Sequence, residues 1–150
     1  MKKEDKELLL KDLCARLPYG VKVYRKWIAP LSGSPEEGVF DFCIFDIEIL
    51  LSPHNWVSTE KGIREVRKYD IKPYLIPLSS MTEEQEDEWY RLYIQPLFDR
   101  LNVKDRKEDL ILQAKSLYVG VDYLIANHFD YRGLIEQGLA INATGLNIYE

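Results

Sequence analysis

Ile71-Lys72-Pro73-Tyr74-Leu75-Ile76-Pro77-Leu78-Ser79-Ser80-Met81-Thr82-Glu83-Glu84-Gln85 divides the chain into two kinds of apolar pattern. Before it, apolar residues come in short bursts of the strand type. After it, they recur at helical spacing. Pro73 and Pro77 fix φ and remove two backbone donors, which excludes the middle of a helix or of a central strand. The stretch therefore reads as an extended edge segment that ends where Thr82 caps a new helix.

Working outward towards the N-terminus, residues 4–16 read as a short helix with Leu9, Leu13, Arg16 and Leu17 on one stripe, stopped by Pro18-Tyr19-Gly20. Val21 to Ile28 reads as a strand in which Val21, Val23 and Trp27 alternate with Lys22 and Lys26. Residues 32–38 read as a loop, from their glycine, serine and proline content. Val39 to Leu51 is the most apolar run, and its period of two predicts a central strand emerging at Asp46 and Glu48. Residues 59–69 suit either a short helix or a strand.

Towards the C-terminus, Thr82 with Gln85 forms a capping box, and Glu83 and Glu84 sit at the positive end of the helix dipole. Trp89, Leu92 and Tyr93 supply the apolar stripe, and Pro96 breaks or kinks the helix. Further helices are expected over 105–117 and around Val121 to Ile125. A short one capped by Asp130 should end at Gly138, before a brief strand at 139–141. Strands followed by helices predict an α+β fold: a small antiparallel sheet in the N-terminal half packed with a C-terminal group of helices. The 150 residues read as one domain, strand-rich over 1–81 and helical over 82–150.

Composition narrows the classes of function. Apolar residues make up 46% and charged residues 30%, as expected of a water-soluble globular chain. No run reaches the roughly 18–20 apolar residues needed to cross a bilayer, and Leu8-Leu9-Leu10 is too short for a signal peptide. The expectation is a cytoplasmic protein with no membrane contact, whose Cys14 and Cys43 are buried free thiols. The net charge is −5, with eight Lys/Arg against four Asp/Glu over 1–30 and five against nine over 82–110. That field opposes a polyanion, so nucleic acid is an unfavoured partner.

The catalytic lead is Phe45-Asp46-Ile47-Glu48. On a strand, carboxylates at i and i+2 leave the same side about 7 Å apart, where they can share a divalent cation. This resembles the first motif of the DEDD exonucleases, with Ile49 in place of threonine. Tyr118-Val119-Gly120-Val121-Asp122 is similar to that family's Tyr-x-x-x-Asp, and Asn127-His128-Phe129-Asp130 to its Asn-x-x-Phe-Asp, in reversed order. The resemblance implies a metal-dependent nuclease using Asp46 and Glu48. The contrary reading makes both the solvent face of a strand.

His54 and His128 stand outside any zinc motif, and His128 is expected to meet carbonyls at a helix C-terminus in its positive form. No phosphate-cradling glycine pattern occurs. Tyr24 and Trp27, interleaved with Lys22 and Lys26, are the candidate binding residues, for a protein surface or, weakly, for nucleic acid.

Three fragments, residues 12–21, 71–85 and 128–140, together resemble a family of small uncharacterised proteins from phage and prophage regions of gut Bacteroidetes. The resemblance implies a mobile-element setting and a shared fold, and transfers no catalytic residue. It also implies that the loop at 30–38 and the acidic helix at 82–102 are variable parts. With no convergent catalytic set, the residues point to a non-enzymatic interaction protein with no cofactor and no metal. Its partner would be an unidentified protein or a second copy, bound through Tyr24 and Trp27 or the acidic 83–88 helix face.

Overall fold

The computed structural model describes the backbone of residues 2–28, 35–51, 56–59, 62–65, 67–117 and 119–150; of these, it describes all side chains except those of residues 27, 28, 35, 36, 45, 56–59, 62–65, 67–69 and 116. The fold is α+β, built on a four-stranded sheet. Helix α1 (Lys3–Arg16) buries Leu9 and Leu13, then a 3-10 turn over Leu17–Tyr19 leads to Gly20 at φ +68°. That left-handed residue turns the chain into β1 (Lys22–Ile28).

Strand β1 pairs antiparallel with β2 (Pro35–Asp41) on one side and β5 (Arg67–Leu75) on the other. A separate hairpin joins β3 (Trp56–Thr59) to β4 (Gly62–Glu65), so the described part of 59–69 is strand. The loop expected at 32–38 gives way at Pro35 to β2, because residues 35–41 find a complete partner in β1.

The pivot is an internal strand, which corrects the edge assignment. Strand β6 (Ile141–Asn142) lies beside β5, parallel to it, at Tyr74 and Leu75, so the sheet is mixed in that one place. The Leu75 carbonyl accepts from Ala143 N–H at 2.8 Å, on the side away from β1. Backbone groups alternate along a strand, so Pro73 presents its missing donor to that same side. The two-residue β6 stops short of it, and Pro73 keeps its place opposite Val23 in the ladder to β1.

Val39–Leu51 is also corrected. Strand β2 ends at Asp41 and helix α2 occupies Ile44–Leu51. Asp46 reaches back to accept from Cys43 N–H at 2.9 Å, closing the first turn. An apolar run of this length satisfies either period, and the local cap decides it.

Beyond the 3-10 turn Leu78–Ser80, Thr82 caps α3 (Glu83–Trp89) as its sequence predicts. Thr82 Oγ1 accepts from Gln85 N–H at 3.2 Å and Gln85 Oε1 accepts from Thr82 N–H at 3.0 Å. Thr82→Ala should cost about 1 kcal/mol, with Thr82→Ser near wild type; equilibrium denaturation of the three proteins reads this directly.

A π-helical turn over Tyr90–Ile94 follows, then α4 (Gln95–Arg100). Pro96 has no N–H for the Leu92 carbonyl and would crowd it in a tight turn, and the wider turn accommodates both. The extra residue changes the inward set to Trp89, Ile94 and Phe98, all buried. Leu92 and Tyr93, expected beside Trp89 on the inner stripe, are turned outwards, at 50% and 36% exposure.

Helices α5 (Lys107–Leu117) and α6 (Val121–Ala126) complete the helical part. Residues 131–138 form hydrogen-bonded turns where a short helix was expected. Asp130 spends its carboxylate on Leu134 N–H at 2.9 Å and Ile135 N–H at 2.8 Å. That cap holds a turn, and Gly133 and Gly138, at φ +69° and +72°, keep it from extending.

Two apolar clusters result. One lies between the sheet and α1, around Leu9, Leu13, Val23, Ile71 and Leu75, and takes Leu134 and Ala140 from the C-terminal part. The other centres on Trp89, Ile94, Leu110, Leu124 and Phe129. The end of the pivot joins them: Ile76 N–H donates to His128 O at 2.9 Å and Asp130 N–H to Ile76 O at 2.7 Å. No helix among the described residues is long and apolar enough to cross a membrane.

Candidate functional site

Asp46, Lys22, Lys26 and Tyr24 are engaged within the fold. On helix α2 residues two apart point to opposite sides, so Asp46 and Glu48 diverge. Asp46 is fully buried, with its carboxylate 3.3 Å from Arg25 Nε, while Glu48 is exposed. The paired-carboxylate geometry expected of a strand is therefore absent. Among the described residues no three His, Cys, Asp or Glu side chains gather as a metal site would require. Tyr118, of the second nuclease-like motif, and His54 lie outside the described residues.

The basic strand is matched across the sheet by its neighbour. Lys22 pairs with Asp41 at 2.6 Å and Lys26 with Glu37 at 2.8 Å. The Tyr24 hydroxyl donates to Glu37, and that hydrogen bond to a carboxylate raises its pKa. Glu37 in turn is held below the usual carboxylate range by its hydrogen bonds to Lys26 and Tyr24. These four candidates are not brought together as an open basic surface; Tyr24 and Lys26 share one acid, and the Trp27 side chain lies outside the described residues. Cys14 is exposed rather than buried, because it faces outwards on α1, and Cys43 is half-buried with its thiol 3.4 Å from Asp46.

Sequence reasoning missed the polar centre at the join of the two clusters. Arg16 and Asp12, one helical turn apart, are both fully buried. Arg16 Nε donates to Asp12 Oδ2 at 2.7 Å, and Nη2 to Asp12 Oδ1 at 3.3 Å and to the Phe129 carbonyl at 2.8 Å. Arg132 approaches the same carboxylate at 3.3 Å. Both guanidiniums flank the Tyr131 ring, at 5.6 and 4.7 Å from its centre. The i, i+4 spacing of Asp12 and Arg16 on an otherwise apolar stripe was the available signal.

Beside this centre, His128 takes the left-handed conformation, φ +59°, and stacks on Tyr149 with ring centres 3.9 Å apart. The Tyr149 hydroxyl donates to the Tyr74 carbonyl at 2.5 Å and accepts from Lys22 N–H at 3.3 Å. Burial pushes Tyr149 up to about 12. His128 does not carry the positive charge expected of it. Burial, aided by the positive field of Arg16, lowers its pKa to about 4. The pair lines a groove of about 590 Å³ with Tyr19, Lys22, Asn127 and Glu150.

The unfolded chain protonates this histidine near its ordinary 6.5, so the neutral form's contribution to stability is complete above that pH. It declines as pH falls from about 6.5 towards 4, by roughly 3 kcal/mol in all. His128→Asn, which suits the left-handed backbone, should flatten that slope in denaturation curves measured across this range.

The π-helical turn and α4 hold several large apolar side chains out to solvent. Leu92, Tyr93, Leu97 and Leu101 are 50%, 36%, 38% and 61% exposed. Tyr93 rests on the Gly120 backbone, where an added Cβ would come within 2.7 Å of its ring. Gly120 sits at φ +65° in the loop after α5, and the exposed Leu117 lies three residues before it. Tyr93 also meets the Tyr123 ring, with centres 5.9 Å apart, while Leu92, Leu97 and Leu101 stay exposed. The five-residue step from Trp89 to Ile94, just before Pro96, was the sequence signal of this face. Comparison with protein-family models, with curated proteins and with solved structures returned no match.

Proposed function

We propose that this chain is a non-enzymatic interaction protein that docks a protein partner through the apolar face carrying Leu92, Tyr93, Leu97 and Leu101, and that it serves a mobile genetic element. The observation that supports it is this face: large apolar side chains held out on a helical support, the usual mark of a protein-binding surface. The residues that suggested other chemistry are occupied, Asp46 by Arg25 and Lys22 and Lys26 by Asp41 and Glu37. The acidic helix contributes the border of the face rather than its centre, since Asp87 pairs with Lys107 and Glu86 with Lys115.

A photo-crosslinking amino acid placed at Leu92 tests the reading in extract of the source cells. A discrete adduct, competed away by unlabelled protein and lost in Leu101→Glu, is the expected result. Leu101 is 61% exposed, so that variant should melt with the wild type. Absence of any competed adduct overturns the proposal.

A further inference from the structure

Resting on that reading, we infer that the partner for this face is a second copy of the chain, paired antiparallel about a two-fold axis. A two-fold contact requires one patch to complement itself when reversed. The outer row of the 83–101 segment has that property. Glu84, Glu88, Leu92, Pro96 and Arg100 follow one another at intervals of four, and all are exposed. The row is acidic at its start, apolar in its middle and basic at its end, where α4 stops at Arg100.

Reversal about a point midway between Leu92 and Pro96 sets Leu92 against the other copy's Pro96. It also sets Glu88 against Arg100. Tyr93, Leu97 and Leu101 flank the same centre. Glu84, Glu88 and Arg100 make no ion pair among the described residues; Glu88 accepts a hydrogen bond from the Tyr123 hydroxyl at 3.0 Å, which leaves its charge unneutralised. A parallel pairing would place acid on acid and base on base. A partner of uniform charge would suit one end of the row and be repelled by the other. The reversed copy matches both ends.

Sedimentation velocity over a concentration series is the test, on wild type, Arg100→Glu, Glu88→Arg and the double variant. Wild type should dimerise. Each single reversal puts like charges face to face twice per dimer and should weaken association at least tenfold. The double variant restores both contacts and should regain the dimer, an outcome that a mere folding defect cannot produce. A wild type that stays monomeric, or single reversals without effect, overturns the inference. The crosslink at Leu92 separates the two proposals. An adduct of twice the chain mass supports the second copy; a competed adduct of another mass overturns it while leaving the interaction reading standing. No competed adduct removes both.

Discussion

Arg16→Leu is expected to destabilise the protein by roughly 3–5 kcal/mol, a loss of about 10 °C or more in Tm for a chain of this size. Arg16 is fully buried, and its guanidinium is the bidentate partner of an equally buried carboxylate. Its removal strands the Asp12 charge with only Arg132, at 3.3 Å, to answer it. It also takes a donor from the Phe129 carbonyl, the contact that fastens α1 to the helical cluster. Most of this cost comes from the orphaned acid, not from the net worth of the pair. Asp12→Leu combined with Arg16→Leu should therefore recover much of the stability that either substitution loses alone. A double-mutant cycle by chemical denaturation reads the coupling. Additive losses would show that burial of the pair contributes nothing cooperative.

Trp89→Ala should cost about 3–5 kcal/mol. Trp89 has no exposed surface, lies at the junction of α3 and the π-helical turn, and packs in the second apolar cluster. Its Nε1 donates to the Val119 carbonyl at 2.9 Å, tying the loop after α5 to the helix. Trp89→Phe keeps much of the volume and loses that hydrogen bond, so its cost should be a smaller 1–2 kcal/mol or so. The two variants separate packing from hydrogen bonding. Equal losses in both would assign the effect to the Val119 contact alone.

The parts of the fold legible in the sequence are those whose signals are local. The capping box at Thr82 and Gln85, the stop at Pro18-Tyr19-Gly20 and the alternation at Val21 and Val23 involve neighbours within a few residues, and each stands where it was expected. The α+β class follows from the order of the patterns. Val39–Leu51 misled because a run this apolar satisfies either period, and the deciding contact, Asp46 to the Cys43 N–H, is a single hydrogen bond. The π-helical turn was hidden for a related reason: one extra residue shifts every later side chain around the helix, and a fixed period of 3.6 cannot register it.

The candidate sites were less legible than the fold. Lys22, Lys26 and Tyr24 form a basic, aromatic stretch in the sequence, yet β2 lays Asp41 and Glu37 across from them. His128 sits near a helix end, where a positive imidazole is ordinarily favoured, but Tyr149 stacks on it, and burial with the positive field of Arg16 disfavours its charged form. In both cases the partner comes from a distant part of the chain.

By itself, then, the sequence determined where α1 stops and α3 is capped, and that the apolar pattern changes character at residues 71–85. These depend on backbone sterics and on hydrogen bonds between near neighbours. Only the tertiary structure decided that Pro73 lies in an internal strand, that Asp12 and Arg16 are buried together, and that Leu92 and Tyr93 face outwards. Those outcomes depend on desolvation and pairing between segments far apart in the chain, and the local residue pattern hints at them without deciding them.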